Sequence, residues 1–273
     1  MTETTARILV EDRGDHLLVT LNNPARRNAL DPAMHSILRN ALDQAAAEDR
    51  LGAVVLTGAG GYFCAGGDLN ALAQRAALTR DERRARIDDL HTTIRAIRAC
   101  PRPVIAAVEG GAAGAGLSIA LACDLLVAAE DASFAAAYVR VGLVPDGGLT
   151  ASLARRVPAS LAARMCLTGD PVTAPALAVM GVVTDLCPPR QAVARAADLA
   201  ARLAQGPAGA QAAIKRLLAD AGQTGFDDQL DRERDAMADA LASPEAAAGL
   251  RARLDRRGPD FGRGLPRKKE TDR

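Results

Sequence analysis

Residues 61–70 read GYFCAGGDLN, a glycine-rich stretch between an apolar run at 53–57 and a helical pattern that begins near Leu69. The apolar run predicts a buried strand, so this stretch is predicted to be a strand-to-helix turn. Glycine lets the backbone approach a ligand closely, and a helix start offers unpaired N–H groups at the positive end of a dipole. The turn is therefore a candidate site for an anion or a developing oxyanion; the alternative is an ordinary βα turn.

A second turn of small residues, EGGAAGAG at 109–116, follows the apolar run 104–108 and precedes an apolar helical segment at 117–122. Two such turns facing each other would aim main-chain N–H groups at one oxygen, which is the arrangement of an oxyanion hole. Loss of one such donor typically costs on the order of a hundredfold in rate. The alternative is that the small residues only permit close helix packing.

The remaining pattern alternates strands and helices up to about Cys187. Apolar runs at 8–11 and 16–21 predict a hairpin. Asp31 is a predicted N-cap with Pro32 after it, and Thr79 with Glu82 forms a predicted capping box for a helix to about residue 99. Only helices are predicted later, at 189–205, 207–221, 226–241 and 244–257. This order predicts an α/β core followed by an all-helical region.

Composition limits the classes of function. A formal charge of +1 over 273 residues provides no field for nucleic acid or a membrane surface. The apolar runs are too short for a membrane span, and the polar amino terminus has no secretory signal pattern. Five cysteines without a CxxC pair predict reduced thiols in a cytoplasm, and three scattered histidines argue against a metal site.

Several motifs in a fixed order point to one family. The segments GYFCAGGDL (61–69), PVIAAVEGGAAGAGLSIALACDLLVAA (103–129) and VGLVPDGGLT (141–150) resemble those of the crotonase superfamily, the enoyl-CoA hydratases and isomerases. LNNPARRNAL near the amino terminus and GLRARLDRRGPDFGRG near the carboxyl end extend the resemblance over about residues 5–264. The resemblance implies an α/β spiral of repeated ββα units with C-terminal helices that build a homotrimer, often paired into a hexamer.

On this basis the chain is predicted to divide into a crotonase core at 1–188, a helical oligomerisation region at 189–258 and a tail at 259–273. Residues 262–273 are predicted to be disordered because they are highly charged.

The resemblance also assigns a substrate and a site. The expected substrate is an acyl-CoA thioester, whose enolate oxygen would be held by the backbone N–H groups of Gly67 and Ala115. Because coenzyme A is part of the substrate, no separate cofactor is expected. Arg26 or Arg27 would suit the phosphates of coenzyme A, and Lys215 would reach the nucleotide of a neighbouring subunit. A solvated surface role is the alternative for these three side chains. The residues expected to line the coenzyme A path are Ala65, Asp68, Leu69 and Asn70, with main-chain contacts to adenine at Ala65 and Leu69.

The acids beside this oxyanion hole would decide the reaction. Hydratases of the family carry two glutamates at positions that correspond to Ser118 and Tyr138 here, and neither residue is a suitable general base at neutral pH. Asp146, in VGLVPDGG, resembles the acid of the isomerase branch, which includes ring-opening acyl-CoA isomerases. We expect Asp146 to take a proton from C4 of a 3-enoyl-CoA and to return it to C2.

Other interpretations stay open. Asp-Gly is a common pair in turns, so one alternative is that Asp146 only caps the next turn. Leu149 stands where the family often has glycine, which affects how the loop aims the acid. The chain would be a hydratase for an unusual acyl-CoA if Asp146 activates water alone. It would be a trimeric acyl-CoA-binding scaffold if it binds thioesters without turnover.

Overall fold

The computed structural model describes residues 7–261, which form an α/β fold with nine strands and eleven helices. In chain order the strands are β1 (Ile8–Asp12), β2 (His16–Leu21), β3 (Ala53–Gly58), β4 (Val104–Val108), β5 (Gly111–Ala113), β6 (Leu125–Ala129), β7 (Ser133–Ala135), β8 (Val172–Thr173) and β9 (Asp185–Cys187). The helices are α1 (Pro32–Ala47), α2 (Leu69–Arg75), α3 (Arg80–Ala99), α4 (Ala115–Ala122), α5 (Leu149–Arg156), α6 (Ala159–Thr168), α7 (Ala174–Val179), α8 (Ala192–Ala204), α9 (Ala208–Ala221), α10 (Phe226–Leu241) and α11 (Pro244–Leu254).

The strands form two sheets between which the chain alternates. The larger sheet has the order β1-β2-β3-β4-β6-β9 and is parallel except for the β1-β2 hairpin. The smaller sheet has the order β5-β7-β8. Each pass through β4 or β6 continues into a short strand of the smaller sheet, β5 or β7, before the next helix. The predicted α/β spiral of ββα units is therefore confirmed.

Helix starts follow the predicted capping chemistry. The Asp31 side chain accepts hydrogen bonds from the backbone N–H groups of Ala33 and Met34, and Pro32 occupies the first position of α1. Thr79 and Glu82 make both hydrogen bonds of a capping box at the start of α3. Each bond satisfies an N–H that has no partner within its helix. Both predicted helix starts are confirmed.

The larger sheet is covered on both faces. One face packs into a core that includes buried side chains of α1, α3 and α4. The other face is covered by α8, which presents the fully buried alanines Ala192, Ala196 and Ala200 to the strands. A stripe of alanines four residues apart lets a helix lie close to a sheet. Helix α8 therefore packs with the core. The predicted boundary between residues 188 and 189 assigns α8 to a different region from the sheet that it covers.

The helices after α8 expose apolar side chains. Large hydrophobic side chains on α9, α10 and α11 are exposed, although such side chains are usually buried. They are Ile214, Leu218, Phe226, Leu230, Met237, Leu241, Leu250 and Leu254. Within residues 7–261, no helix combines the length and apolar character needed to cross a membrane. The tail predicted to be disordered, 262–273, lies outside the described residues.

Candidate active site

The first predicted loop is built around a glycine that the backbone requires. Gly66 has a φ of 97°, a conformation that L side chains rarely adopt. A methyl group on it would lie 2.9 Å from the carbonyl oxygen of Ala113 and 3.2 Å from the backbone nitrogen of Ala115. Gly66 therefore permits direct contact between the two glycine-rich loops.

The second loop meets the first along its length. Cys64 and Ala112 form an isolated parallel β-bridge, and the N–H of Ala113 donates to the carbonyl of Cys64 at 2.9 Å. A methyl group on Gly116 would lie only 2.4 Å from that same carbonyl oxygen. Small residues in both loops are therefore needed for this close approach.

The two predicted oxyanion donors lie in these adjoining loops. Ala115 is the first residue of α4, and Gly67 immediately precedes Asp68, which caps α2. Among residues 7–261, neither the Gly67 N–H nor the Ala115 N–H donates a backbone hydrogen bond. Two unpaired main-chain donors on loops in contact are what stabilisation of a developing oxyanion requires.

Asn28 is a residue of the site that sequence reasoning missed. It is fully buried, and its side-chain nitrogen donates to the carbonyl oxygens of Ala59 at 2.9 Å and Tyr62 at 2.5 Å. Its side-chain oxygen accepts from the N–H of Asn23, and its carbonyl accepts from the Cys64 thiol. Asn28 therefore ties the amino-terminal loop to the Gly61–Asn70 loop. The sequence signal for Asn28 is its place in LNNPARRNAL, next to the arginines predicted to bind phosphate.

Of the four residues predicted to line the coenzyme A path, two are exposed and two, Ala65 and Asp68, are half-buried. Leu69 is 63% exposed, and Asn70 beside it is also exposed. The N–H of Ala65 donates to the carbonyl of Arg27 at 2.9 Å. This bond joins the loop to the segment that carries the two arginines predicted to bind phosphate.

Those arginines have partners within the chain. The Arg26 guanidinium forms an ion pair with Asp68. Hydrogen bonds from the Ala71 N–H and from Arg26 lower the pKa of Asp68. The Arg27 guanidinium lies 5.5 Å from the centroid of the Tyr62 ring, within the range of a cation–π contact. Both arginines remain exposed, so both are open to solvent next to the candidate path.

Lys215 is held in a different way. Its side chain is 9% exposed, and its ammonium donates to the carbonyls of Ile97 and Arg102 and forms an ion pair with Asp124 at 2.6 Å. These three acceptors match the three N–H bonds of an ammonium. In this arrangement Lys215 anchors α9 to the end of α3 and has no N–H left for the nucleotide that it was predicted to reach. The predicted role would require the ammonium to leave all three partners.

Asp146 lies with Ser118 and Tyr138 in one hydrogen-bonded cluster. The Tyr138 hydroxyl donates to Oδ1 of Asp146 at 2.7 Å, and the Ser118 hydroxyl donates to the Asp146 carbonyl at 3.0 Å. The Ser118 and Tyr138 hydroxyl oxygens are 3.1 Å apart. The two positions at which the family resemblance implies acids in the hydratases are thus in contact with the one carboxylate of the cluster.

The cluster adjoins the candidate oxyanion hole. Ser118 is on α4, one turn after Ala115, and its N–H donates to the carbonyl of Gly114. Leu149, where the family often has glycine, is fully buried and begins α5, and its N–H donates to the Asp146 carbonyl. A carboxylate next to two unpaired donors can exchange protons with a bound carbonyl compound while its oxygen gains charge.

Tyr138 is a donor in this cluster and not a base. Burial, and then the negative charge of Asp146, raise the pKa of Tyr138 far above its ordinary value. The phenol therefore stays protonated at any pH at which an enzyme works. This agrees with the prediction that Tyr138 does not supply a general base.

Comparison with known proteins identifies the family. The family described as "Enoyl-CoA hydratase/isomerase" matches residues 14–264. The chain is 35% identical to the 2,3-dehydroadipyl-CoA hydratase of Escherichia coli (strain K12), over 94% of this chain and 98% of that protein. It is 33% identical to the 1,2-epoxyphenylacetyl-CoA isomerase of the same organism, over 90% and 94%.

A solved structure agrees with these relatives. The crystal structure of an enoyl-CoA hydratase from Polaromonas sp. JS666 superposes with a TM-score of 0.90 at 39% identity, covering 93% of this chain and 98% of that one. The family match spans most of the chain and includes both glycine-rich loops and the Asp146 turn. The chain therefore belongs to the enoyl-CoA hydratase/isomerase family, the crotonase superfamily of acyl-CoA enzymes.

Proposed function

We propose that this protein is an acyl-CoA isomerase that moves a double bond by proton transfer through an enolate. The observation that carries the proposal is the composition of the acid–base cluster. Asp146 is its single carboxylate, and hydroxyls stand at Ser118 and Tyr138, where the hydratases have glutamates. One carboxylate suits a proton shuttle, because the same group can accept a proton and return it at another carbon.

The acidity of the substrate C–H bonds corrects one expectation, namely the carbon from which Asp146 takes the proton. C4 of a 3-enoyl thioester is an alkene carbon, whereas the C2 protons are acidic because they lie between the carbonyl and the double bond. Asp146 therefore takes a proton from C2, and the electron pair of that C–H bond delocalises onto the thioester oxygen at Gly67 and Ala115. The dienolate then takes the proton from Asp146 at C4, which gives the 2-enoyl thioester. Removal at C4 applies to the reverse reaction.

The activities named for relatives of this chain support two reactions of the same class. The Escherichia coli relative named 1,2-epoxyphenylacetyl-CoA isomerase is a precedent for an isomerase at 33% identity. Other relatives are named hydratases, which favours a second candidate in which Asp146 activates water for addition to a 2-enoyl thioester. The two candidates differ in product, since hydration yields a 3-hydroxyacyl thioester and isomerisation does not.

The test is a pair of carboxylate-to-amide variants. Conversion of 3-enoyl-CoA thioesters of several chain lengths to the conjugated 2-enoyl form is followed in wild type, Asp146→Asn and the matched control Asp131→Asn. Asp131 is exposed in the turn between β6 and β7. Loss of a general acid–base group is expected to lower kcat by about 10²- to 10⁴-fold in Asp146→Asn alone.

Wild-type rates in Asp146→Asn would refute the assignment of this residue. Binding of the thioesters by the wild-type protein without any turnover would instead support the non-catalytic scaffold.

Assembly into a homotrimer or hexamer is part of the proposal. The exposed apolar side chains of α9, α10 and α11 support it, because large apolar side chains exposed on successive helices are expected at a protein interface. Light scattering on the purified protein is expected to give three or six times the chain mass of 28.3 kDa. A mass of one chain would contradict it. Location in the cytoplasm is likewise proposed, and the five free thiols support it.

A further inference from the structure

The Asp146 turn combines an exposed residue with glycines of unusual backbone conformation. Val144, two residues before Asp146, is 80% exposed, and Gly147 and Gly148 both have positive φ, at 60° and 74°. A methyl group on Gly147 would lie 2.8 Å from Cβ of Ser118, so the turn rests directly on this residue of α4. The backbone of such a turn depends on its few fixed contacts for a defined position.

Two of those contacts come from hydroxyl groups that act on different parts of Asp146. Ser118 donates to the main-chain carbonyl at 3.0 Å, which fixes the backbone of the residue. Tyr138 donates to Oδ1 at 2.7 Å, which fixes the rotation of the carboxylate. Among residues 7–261, Oδ2 receives no side-chain hydrogen bond and Asp146 forms no ion pair, so Oδ2 is open to a substrate.

The hydrogen bond from Tyr138 has a fixed direction. Burial and the charge of Asp146 raise the pKa of Tyr138, so the phenol keeps its proton and acts as the donor to Oδ1. Ser118 and Leu90 supply neutral surfaces around the turn. One carboxylate oxygen is therefore held by a donor, which leaves the other to accept a proton.

We infer that Tyr138 and Ser118 are positioning residues for Asp146, and that they direct Oδ2 at the reacting carbons of the acyl group. This inference rests on the proposed function, in which Asp146 is the proton shuttle. It assigns a role to the two positions at which this chain departs from the hydratases. Ser118 and Tyr138 do not supply a second acid but fix the position of the one acid, Asp146.

The kinetic test compares Tyr138→Phe and Ser118→Ala with wild type and with Ser36→Ala, a matched control that removes an exposed hydroxyl from α1. Each of the two cluster variants is expected to lower kcat by about ten- to a hundredfold with KM little changed, since a hydrogen bond to a charged group is lost or the turn is loosened. The Ser36→Ala control is expected to match wild type.

A second measurement does not depend on activity. Carbon NMR of protein labelled at the aspartate carboxyl carbon, with the Asp146 signal assigned from Asp146→Asn, reports the hydrogen bonding of this carboxylate directly. In Tyr138→Phe the chemical shift of this signal is expected to change because Oδ1 loses its donor, and in Ser36→Ala it is expected to match wild type. Thermal unfolding of each variant identifies any that fails to fold, and in that case Ser118→Ala carries the kinetic test.

The outcomes separate the two claims. An inactive Asp146→Asn, together with a Tyr138→Phe variant that is slowed and whose Asp146 carboxyl signal is displaced, supports both. An inactive Asp146→Asn, together with wild-type kinetics and an unchanged Asp146 carboxyl signal in Tyr138→Phe, overturns the positioning role and leaves the proposed function standing. An active Asp146→Asn overturns the proposed function itself, and with it the catalytic meaning of the cluster.

Discussion

Replacement of Asn28 by alanine tests whether this residue holds the oxyanion loop in place. The change removes two hydrogen bonds donated to Ala59 and Tyr62 and one accepted from Asn23. At about 1 kcal/mol each, these contribute about 3 kcal/mol. Asn28 also has a φ of 56°, which costs an alanine about 1 kcal/mol more. The expected loss in the free energy of unfolding is therefore about 4 kcal/mol, a large part of the 5–15 kcal/mol typical of a domain.

Urea unfolding measures that loss, and kcat with a 3-enoyl-CoA measures its effect on the site. Displacement of a catalytic group by about 1 Å can cost about a hundredfold in rate, so kcat in Asn28→Ala is expected to fall by that order. Asn40→Ala, on an exposed position of α1, is the matched control and is expected to change stability by less than about 0.5 kcal/mol. A loss below about 1 kcal/mol in Asn28→Ala, with kcat unchanged, would refute this role.

Three further predictions concern packing, pH and the anchoring of α9. Gly116→Ala places a methyl group 2.4 Å from a carbonyl oxygen and is expected to lower the free energy of unfolding by about 1–3 kcal/mol and to lower kcat. Gly249→Ala on α11 is expected to change neither, and urea unfolding and kcat measurements check both variants. Burial lowers the pKa of His35 in the folded protein, so the unfolded chain takes up the proton first as pH drops below about 6.5, and the free energy of unfolding is expected to fall there. His35→Gln is expected to reduce this dependence of the free energy of unfolding on pH. Lys215→Met removes three hydrogen bonds and is expected to lower the free energy of unfolding, measured in urea, by about 2–3 kcal/mol. Asp124→Asn is expected to cost less stability in the Lys215→Met protein than in wild type, and equal costs in the two would contradict the ion pair.

Much of the fold was predictable because its signals are local. The apolar runs that form β3 and β4, the N-cap at Asp31 and the capping box at Thr79 depend on residues within a few positions of one another, and the structure has them where they were expected. Helix α8 was predicted as a helix, but its packing on the sheet was not. Its alanine stripe has little apolar area of its own, and only the strands opposite make it part of the core.

The site was predictable in part. Gly67, Ala115 and Asp146 followed from motifs whose order along the chain is distinctive. The link between Tyr138 and Asp146 could not be read from the sequence, because the direction of a side chain on an irregular loop depends on the packing around it. Lys215 shows the same limit, since its three acceptors lie more than ninety positions away in the chain. Charge alone indicated a ligand contact where the structure has an internal anchor.

The most direct test of the central claim, that one carboxylate shuttles a proton over an oxyanion hole, is product analysis in water enriched in heavy oxygen. Wild-type protein is incubated separately with 3-enoyl-CoA and 2-enoyl-CoA thioesters, and the products are identified by mass spectrometry. We expect the two double-bond isomers to interconvert without incorporation of solvent oxygen. Accumulation of 3-hydroxyacyl-CoA that carries heavy oxygen would contradict the isomerase and identify Asp146 as a base for water.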